Sequence, residues 1–306
     1  MERQGTTQTP DGRALAYVER GAAGGAPVIT CHGTPGSRLG RHPDGRLYDR
    51  HGVRMVAYDR PGYGLSDPKV GRSVADAAAD VETIADALGF DRFAVVGGSG
   101  GGPHALACGA LLGDRLLRVG VLVTPAPSDT SDFDFFDGLA DVNVKEFGAA
   151  LEGREAIETY LQPFVDEVGR DPDAMIDEVA AELPEVDRAI ISGEDFRRIL
   201  RESWVESARQ GVRGWADDDL AFAKPWGFEL EDVQADVRLW QGELDVLAPR
   251  SHGEYVASRL PNARFELLEG GGHFLDEEWA VVLDWLSARD SAEEPLVPPR
   301  APSSTT

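Results

Sequence analysis

The sequence predicts an α/β fold: a mostly parallel sheet with helices on both faces, interrupted by an all-helical insertion. Two observations carry this. Short apolar runs rich in β-branched residues alternate with helix-forming segments up to about residue 124 and again from about residue 236. That is the pattern of strands buried on both faces. Between Pro125 and Trp226 the alternation stops, and one helical segment follows another.

Taken in order, residues 13–20 alternate loosely and suit an edge strand. Pro27–Cys31 is a short apolar run ending in His32-Gly33-Thr34-Pro35-Gly36-Ser37. Val53–Tyr58 reads as a second buried strand, ending in the turn-rich run from Asp59 to Asp67. Ser73, with Asp76 three residues on, marks a helix start. Val74, Ala77, Val81, Ile84 and Leu88 supply its apolar face, and Gly89 its left-handed stop. Phe93–Val96 is the next strand, then a helix from about Gly101 to Leu112, then a strand at Leu117–Val123. The insertion carries helical segments near Asp141–Leu151, Glu155–Glu167, Asp173–Glu182, Glu185–Ile190 and Asp195–Gln210. A strand at Asp236–Trp240, a helix near Ser251–Leu260, a strand at Arg264–Leu268 and a helix after His273 complete the order. The expected organisation is a core of residues 1–124 and 227–289, a helical cap over 125–226, and a Pro-, Ser- and charge-rich disordered tail over 290–306.

The 54 acidic residues outnumber the 30 basic ones, giving a net charge of −24. A surface of that sign repels nucleic acid and anionic membranes, so neither is an expected partner. Only Lys69, Lys145 and Lys224 are lysines. Acid excess with scarce lysine fits adaptation to high salt, where dense carboxylates are screened; a GC-rich coding bias toward arginine predicts the same scarcity. No apolar run approaches the length of a membrane span. The start of the chain leads into no apolar signal core, and its two cysteines, Cys31 and Cys108, suit buried free thiols. A cytoplasmic location is the expectation. No Cys/His cluster has zinc spacing, and neither a metal nor a cofactor is implied.

The chemistry centres on Gly97-Gly98-Ser99-Gly100-Gly101. A G-x-S-x-G run is common in a chain with 35 glycines, so its flanks decide. A strand enters this one and a helix leaves it, the context in which a sharp turn lifts a serine above the sheet edge. That turn also aims the N–H of Gly100 at a developing oxyanion. A serine hydroxyl needs a base, and the base needs a group that fixes its tautomer. Gly270-Gly271-Gly272-His273-Phe274 follows one late strand, and Gln241-Gly242-Glu243-Leu244-Asp245 follows another. A histidine flanked by glycines in a loop is ill suited to core packing, which favours His273 as the base. Asp245 is the favoured orienting acid. Glu243, two residues earlier, competes with it. His32 suits a brace for its own loop, Asp59 a holder of its loop by hydrogen bonds, and His104 a packing or surface role. His42, His51 and His252 have no motif context.

With these parts in the order Ser99, Asp245, His273, the chain resembles an α/β-hydrolase-fold serine hydrolase with a helical cap, of the esterase or proline-iminopeptidase-like branch. The resemblance spans residues 12–288 and rests on five loops: HGTPGS, DRPGYGLSD, GGSGG, WQGELDVLAP and GGHF. It implies Ser99 as nucleophile, His273 as general base and then acid, and Asp245 as the orienting carboxylate; some members of the family instead place the acid after the strand preceding the cap, where this chain has Asp129, Asp132 and Asp134. It also implies Thr34 and Gly100 as the oxyanion donors. Dehalogenases and epoxide hydrolases of the fold carry aspartate at the elbow, where this chain has Ser99. Haloperoxidase-like members usually place an aromatic residue after His-Gly, where this chain has Thr34. The resemblance implies a small acyl substrate, a carboxylic ester first and an N-terminal prolyl amide second. A ligand-binding protein with vestigial catalysis is the reading from another class. Phe133, Phe135, Phe136, Phe147, Trp204, Trp215, Phe222 and Trp226 are the aromatic candidates for the pocket wall. Proline iminopeptidases bind the substrate amine with cap carboxylates. Here Glu202 and Glu206 are among the cap acids, and a solvated helix face is the expectation for most of them.

Overall fold

The computed structural model describes residues 2–288. The expected tail over 290–306 lies outside them. Eight strands make one sheet: β1 (Glu2–Gln8), β2 (Ala14–Gly21), β3 (Ala26–Cys31), β4 (Val53–Tyr58), β5 (Phe93–Gly98), β6 (Leu116–Leu122), β7 (Val237–Gly242) and β8 (Ala263–Leu268). Their spatial order is β1-β2-β4-β3-β5-β6-β7-β8. β1 and β2 are antiparallel to each other, β2 is antiparallel to β4, and the remaining pairs are parallel.

Successive strand residues point to opposite faces, so each strand feeds two cores. Ile29, Val56, Phe93 and Val95 join one cluster with α2 (Asp76–Leu88) and α3 (Gly101–Leu111). Val28, Met55, Ala94 and Val96 join the other with α1 (Leu47–Arg50) and α11 (Glu278–Ser287). Helices on both faces explain why these strands are apolar throughout rather than alternating.

Two expectations shift. The strand expected at the edge, residues 13–20, lies second, because β1 covers it. β1 reads Glu-Arg-Gln-Gly-Thr-Thr-Gln and is mostly exposed. Pairing with β2 makes it a strand, so no hydrophobic pattern announces it. The helix expected from Ser73 begins at Asp76. The Ser73–Asp76 motif is nonetheless present: Asp76 Oδ2 accepts from the Ser73 N–H at 2.7 Å and from its hydroxyl at 3.0 Å. Gly89 ends that helix at φ 71°.

Between β6 and β7 run α4 (Asp141–Glu152), α5 (Arg154–Arg170), α6 (Pro172–Ala181), α7 (Glu185–Ile191), α8 (Glu194–Ser207) and α9 (Arg213–Phe222). The first five match the helical segments read from the sequence. α9 lies beyond the segments read from the sequence, and it contains Asp217-Asp218-Asp219, residues of low helix propensity. All three aspartates are buried. α10 (Arg250–Arg259) covers β7 and β8.

Candidate active site

Strand register brings the loops together. Cys31 pairs with Gly97 across β3 and β5, so His32-Gly33-Thr34 and Gly98-Ser99-Gly100 leave the sheet side by side. Gly242 pairs with Leu268, which sets the Asp245 loop beside the His273 loop. All four loops follow the C-terminal ends of parallel strands, where an open α/β sheet leaves a crevice.

The elbow is as tight as its glycines suggest. Ser99 sits at φ 53°, a left-handed backbone costly for a residue with a Cβ. A side chain at Gly97 would strike the carbonyl of Gly101, and one at Gly101 would strike that of Cys31. A side chain at Gly100 would overlap that of Thr34, so the two expected oxyanion donors are neighbours. Val123, one residue past β6, is also left-handed at φ 47° and lines the same cavity as Ser99.

His273 Nδ1 lies 3.0 and 2.9 Å from the two oxygens of Asp245. The carboxylate also accepts from the N–H groups of Leu247 and Ala248, at 2.9 Å each, and from Gln241 Nε2 at 3.2 Å. It is therefore fixed on every side, and it selects the tautomer in which Nε2 is the basic nitrogen. Burial opposes protonation of His273. The charge and hydrogen bond of Asp245, with the charge of Asp187, outweigh burial and lift the imidazole above its ordinary value. Three of the four competing acids are engaged elsewhere. Glu243 accepts from Gly270 N–H at 2.9 Å, Asp132 pairs with Arg259 and Tyr255, and Asp134 accepts from Phe136 N–H.

His32 braces its own loop, its Nδ1 2.7 Å from the Gly33 carbonyl while Nε2 accepts from the Arg60 N–H. Asp59 accepts from the N–H groups of Arg38 and Leu65, the holding role expected of it. His104 is fully buried. Its Nδ1 donates to the Gly100 carbonyl at 2.8 Å, and burial first and Arg60 second pull its pKa down to about 3.

What the sequence motifs did not announce comes from the insertion. Asp218 of α9 accepts from Thr34 Oγ1 at 3.0 Å, Tyr63 hydroxyl at 2.8 Å, Arg60 at 2.5 Å and Arg72. Burial opposes its charge, yet Arg60 and Arg72 hold it well below the usual carboxylate range. Arg60 in turn donates to the carbonyls of His32 and Gly33 and to Thr34 Oγ1. Asp187 of α7 accepts from the N–H groups of His273 and Phe274.

The cavity beside Ser99 and His273 holds about 370 Å³, room for a small organic molecule. Of the eight aromatic candidates, Phe147, Trp204, Trp215 and Phe222 line it, joined by Phe164 and Phe196. Phe133, Phe135, Phe136 and Trp226 pack in or against the core instead. The cap acids also divide. Glu206 is not a solvated residue: it is buried against Arg38, with Arg209 on its other oxygen. Glu202 pairs with Arg41 and Arg198. Glu146 and Asp219, singled out by no motif, face the cavity, and Glu146 takes the indole N–H of Trp215 at 2.5 Å.

A family model described as the alpha/beta hydrolase fold matches residues 26–278, and the chain belongs to that family. A non-heme chloroperoxidase of Streptomyces lividans is 34% identical over 158 residues, 50% of this chain and 56% of that protein. A proline iminopeptidase of Xanthomonas citri is 35% identical over 111 residues, 35% of each chain. The matched stretches thus span about half or less of these relatives' length. In fold, the structure is similar to a thermophilic esterase from Thermogutta terrifontis, with TM-score 0.63 and 22% identity over 89% of this chain and 91% of that one. No helix of the described residues is long and apolar enough to cross a membrane.

Proposed function

We propose that this protein is a serine hydrolase acting on a small carboxylic ester. Ser99 attacks the acyl carbonyl while His273 takes its proton. Asp245 orients and stabilises the imidazolium, and the N–H groups of Gly100 and Thr34 receive the oxyanion. His273 then returns the proton to the leaving alcohol. The acyl-enzyme is hydrolysed by water that His273 activates in turn. The single observation behind this reading is the double contact of His273 Nδ1 with Asp245, on a cavity wall shared with a left-handed Ser99.

The test is covalent labelling by a fluorophosphonate, read by intact mass and peptide mapping, beside turnover of a short-chain aryl ester. Labelling is expected at Ser99, absent from Ser99→Ala and strongly reduced in His273→Ala. Turnover in Ser99→Ala should fall by about 10⁴-fold or more. Folded wild type that neither labels nor turns over would overturn the reading in favour of a binding protein.

A second reading, an aminopeptidase acting on an N-terminal prolyl amide, is favoured by one observation. Glu146 and Asp219 face the cavity as neighbouring carboxyl groups, and neither has an ion pair among the described residues. Burial pushes Glu146 up to about 7; burial and the charge of Glu146 raise Asp219 well above its ordinary value. Such a pair takes up a substrate ammonium best once Glu146 has lost its proton. On this reading, binding of a prolyl arylamide tightens as pH rises through about 7, and Glu146→Gln raises its KM while sparing the plain ester. Equal KM changes for both substrates would exclude the aminopeptidase.

A further inference from the structure

Gly270-Gly271-Gly272 leads into His273 with no side chain to anchor the backbone. The Asp245 loop holds the first residues of this run, through Glu243 on the Gly270 N–H and the Leu244 N–H on the Gly271 carbonyl, and the anchor at His273 itself comes from the insertion. Asp187, 86 residues away in the chain, accepts from the His273 N–H through Oδ2 at 3.0 Å and from the Phe274 N–H through Oδ1 at 2.8 Å. Its side chain is fully buried, and no cation pairs with it among the described residues. Gly272 is packed so closely that a Cβ there would overlap the Asp187 carboxylate. The geometry fits a carboxylate and nothing shorter or neutral. Two diverging N–H groups meet two acceptor oxygens, whereas asparagine offers only one.

We propose that Asp187 is a positioning residue for His273: a carboxylate of the helical insertion that holds the histidine loop in register with Asp245, so that seating of the insertion sets the general base. This rests on the hydrolase reading for its catalytic meaning. The charged groups facing the imidazole are Asp245 at Nδ1 and Asp187 behind the main chain, and both raise its pKa. The groups acting on Asp187 are the two main-chain donors, His273 and Asp245. A merely structural anchor would leave the titration of His273 alone. A charged one would not.

The experiment uses the full chain as wild type, Asp187→Asn and Asp187→Ala. His273 is titrated by NMR through its ring protons, assigned by their loss in His273→Ala. Fluorophosphonate labelling rates are followed across the same pH range. In Asp187→Asn the His273 pKa is expected to fall. The acid limb of labelling, which needs the neutral imidazole, then moves to lower pH. The rate on its plateau drops by on the order of ten- to a hundredfold, as expected for a displaced base. Asp187→Ala, which removes both acceptors, should lose more. An unchanged His273 titration in Asp187→Asn overturns the proposal, as does a plateau rate within about twofold of wild type. If wild type does not label at all, the hydrolase reading fails by itself, and the His273 titration still judges Asp187. Should Asp187→Ala fail to fold, Asp187→Asn carries the test alone.

Discussion

The oxyanion loop and the histidine loop pose the same structural problem and receive different solutions. Both are glycine-containing, both leave the same sheet edge, and both are held by an aspartate of the insertion. Asp218 holds the oxyanion loop through charge. It sits among Arg60, Arg72, Tyr63 and Thr34, and the guanidinium of Arg60 fans out to the His32 and Gly33 carbonyls. Asp187 holds the histidine loop through main-chain amides alone. On the proposed hydrolase reading, the difference follows from what each loop would handle. Arg60 and Arg72 compensate a buried carboxylate beside the loop proposed to receive an oxyanion. A guanidinium behind His273 would oppose its protonation, so a carboxylate bonded only to amides suits the general base proposed here, which would become an imidazolium.

The largest effect separating the two anchors is expected on stability. Asp218→Ala leaves Arg60 and Arg72, both nearly inaccessible to solvent, without their shared partner. Breaking a buried pair from one side costs about 3–5 kcal/mol. Urea unfolding of the variant should show a loss of that size, against a smaller one for Asp187→Asn, which strands no cation. If the two variants lose equal stability, the distinction between a charged and an amide anchor is wrong.

Next in size is Gly272→Ala. The new methyl group meets the Asp187 carboxylate, and overpacking of this kind costs about 1–3 kcal/mol. The double variant with Asp187→Ala should recover part of that loss, because the obstacle is gone. A double-mutant cycle on unfolding free energy reads the coupling directly. Strict additivity would place the methyl group's conflict somewhere other than Asp187.

Within the core, local rules and strand order suffice. The run Phe93–Val96, the glycines of the elbow and the left-handed Ser99 belong to one local segment, and the stretch that should turn sharply does so. The His273–Asp245 contact was legible because each residue lies in the loop that follows a strand, and β7 and β8 are neighbours. The anchors were not legible, because Asp187 and Asp218 lie on helices with no periodic relation to the loops they hold. A buried aspartate in a chain of 54 acids looks like any other. The one sequence cue was indirect: three glycines before a histidine imply that something outside the loop fixes it. β1 and α9 escaped for a related reason. The first has no apolar pattern, and the second carries three adjacent aspartates that lower helix propensity; Asp218 is held by Arg60 and Arg72 and Asp217 by Arg154, contacts that only the tertiary structure supplies.

The smallest expected effect calibrates the others. Arg41 and Glu202 also join the oxyanion side of the core to the insertion, with Nη2 to Oε2 at 2.7 Å, but side chains 20% and 39% exposed. Water already solvates both groups, so the attraction is screened and ordering two long side chains offsets much of it. Such pairs contribute about 0–1 kcal/mol. Glu202→Ala should therefore stay within 1 kcal/mol of wild type in unfolding free energy, and added salt should narrow the gap further. The Asp218 network is shielded from solvent, so its loss should vary far less with ionic strength. If Glu202→Ala cost as much as Asp218→Ala, contact between insertion and core would matter in itself. Burial of the charge would then not be what sets the oxyanion anchor apart.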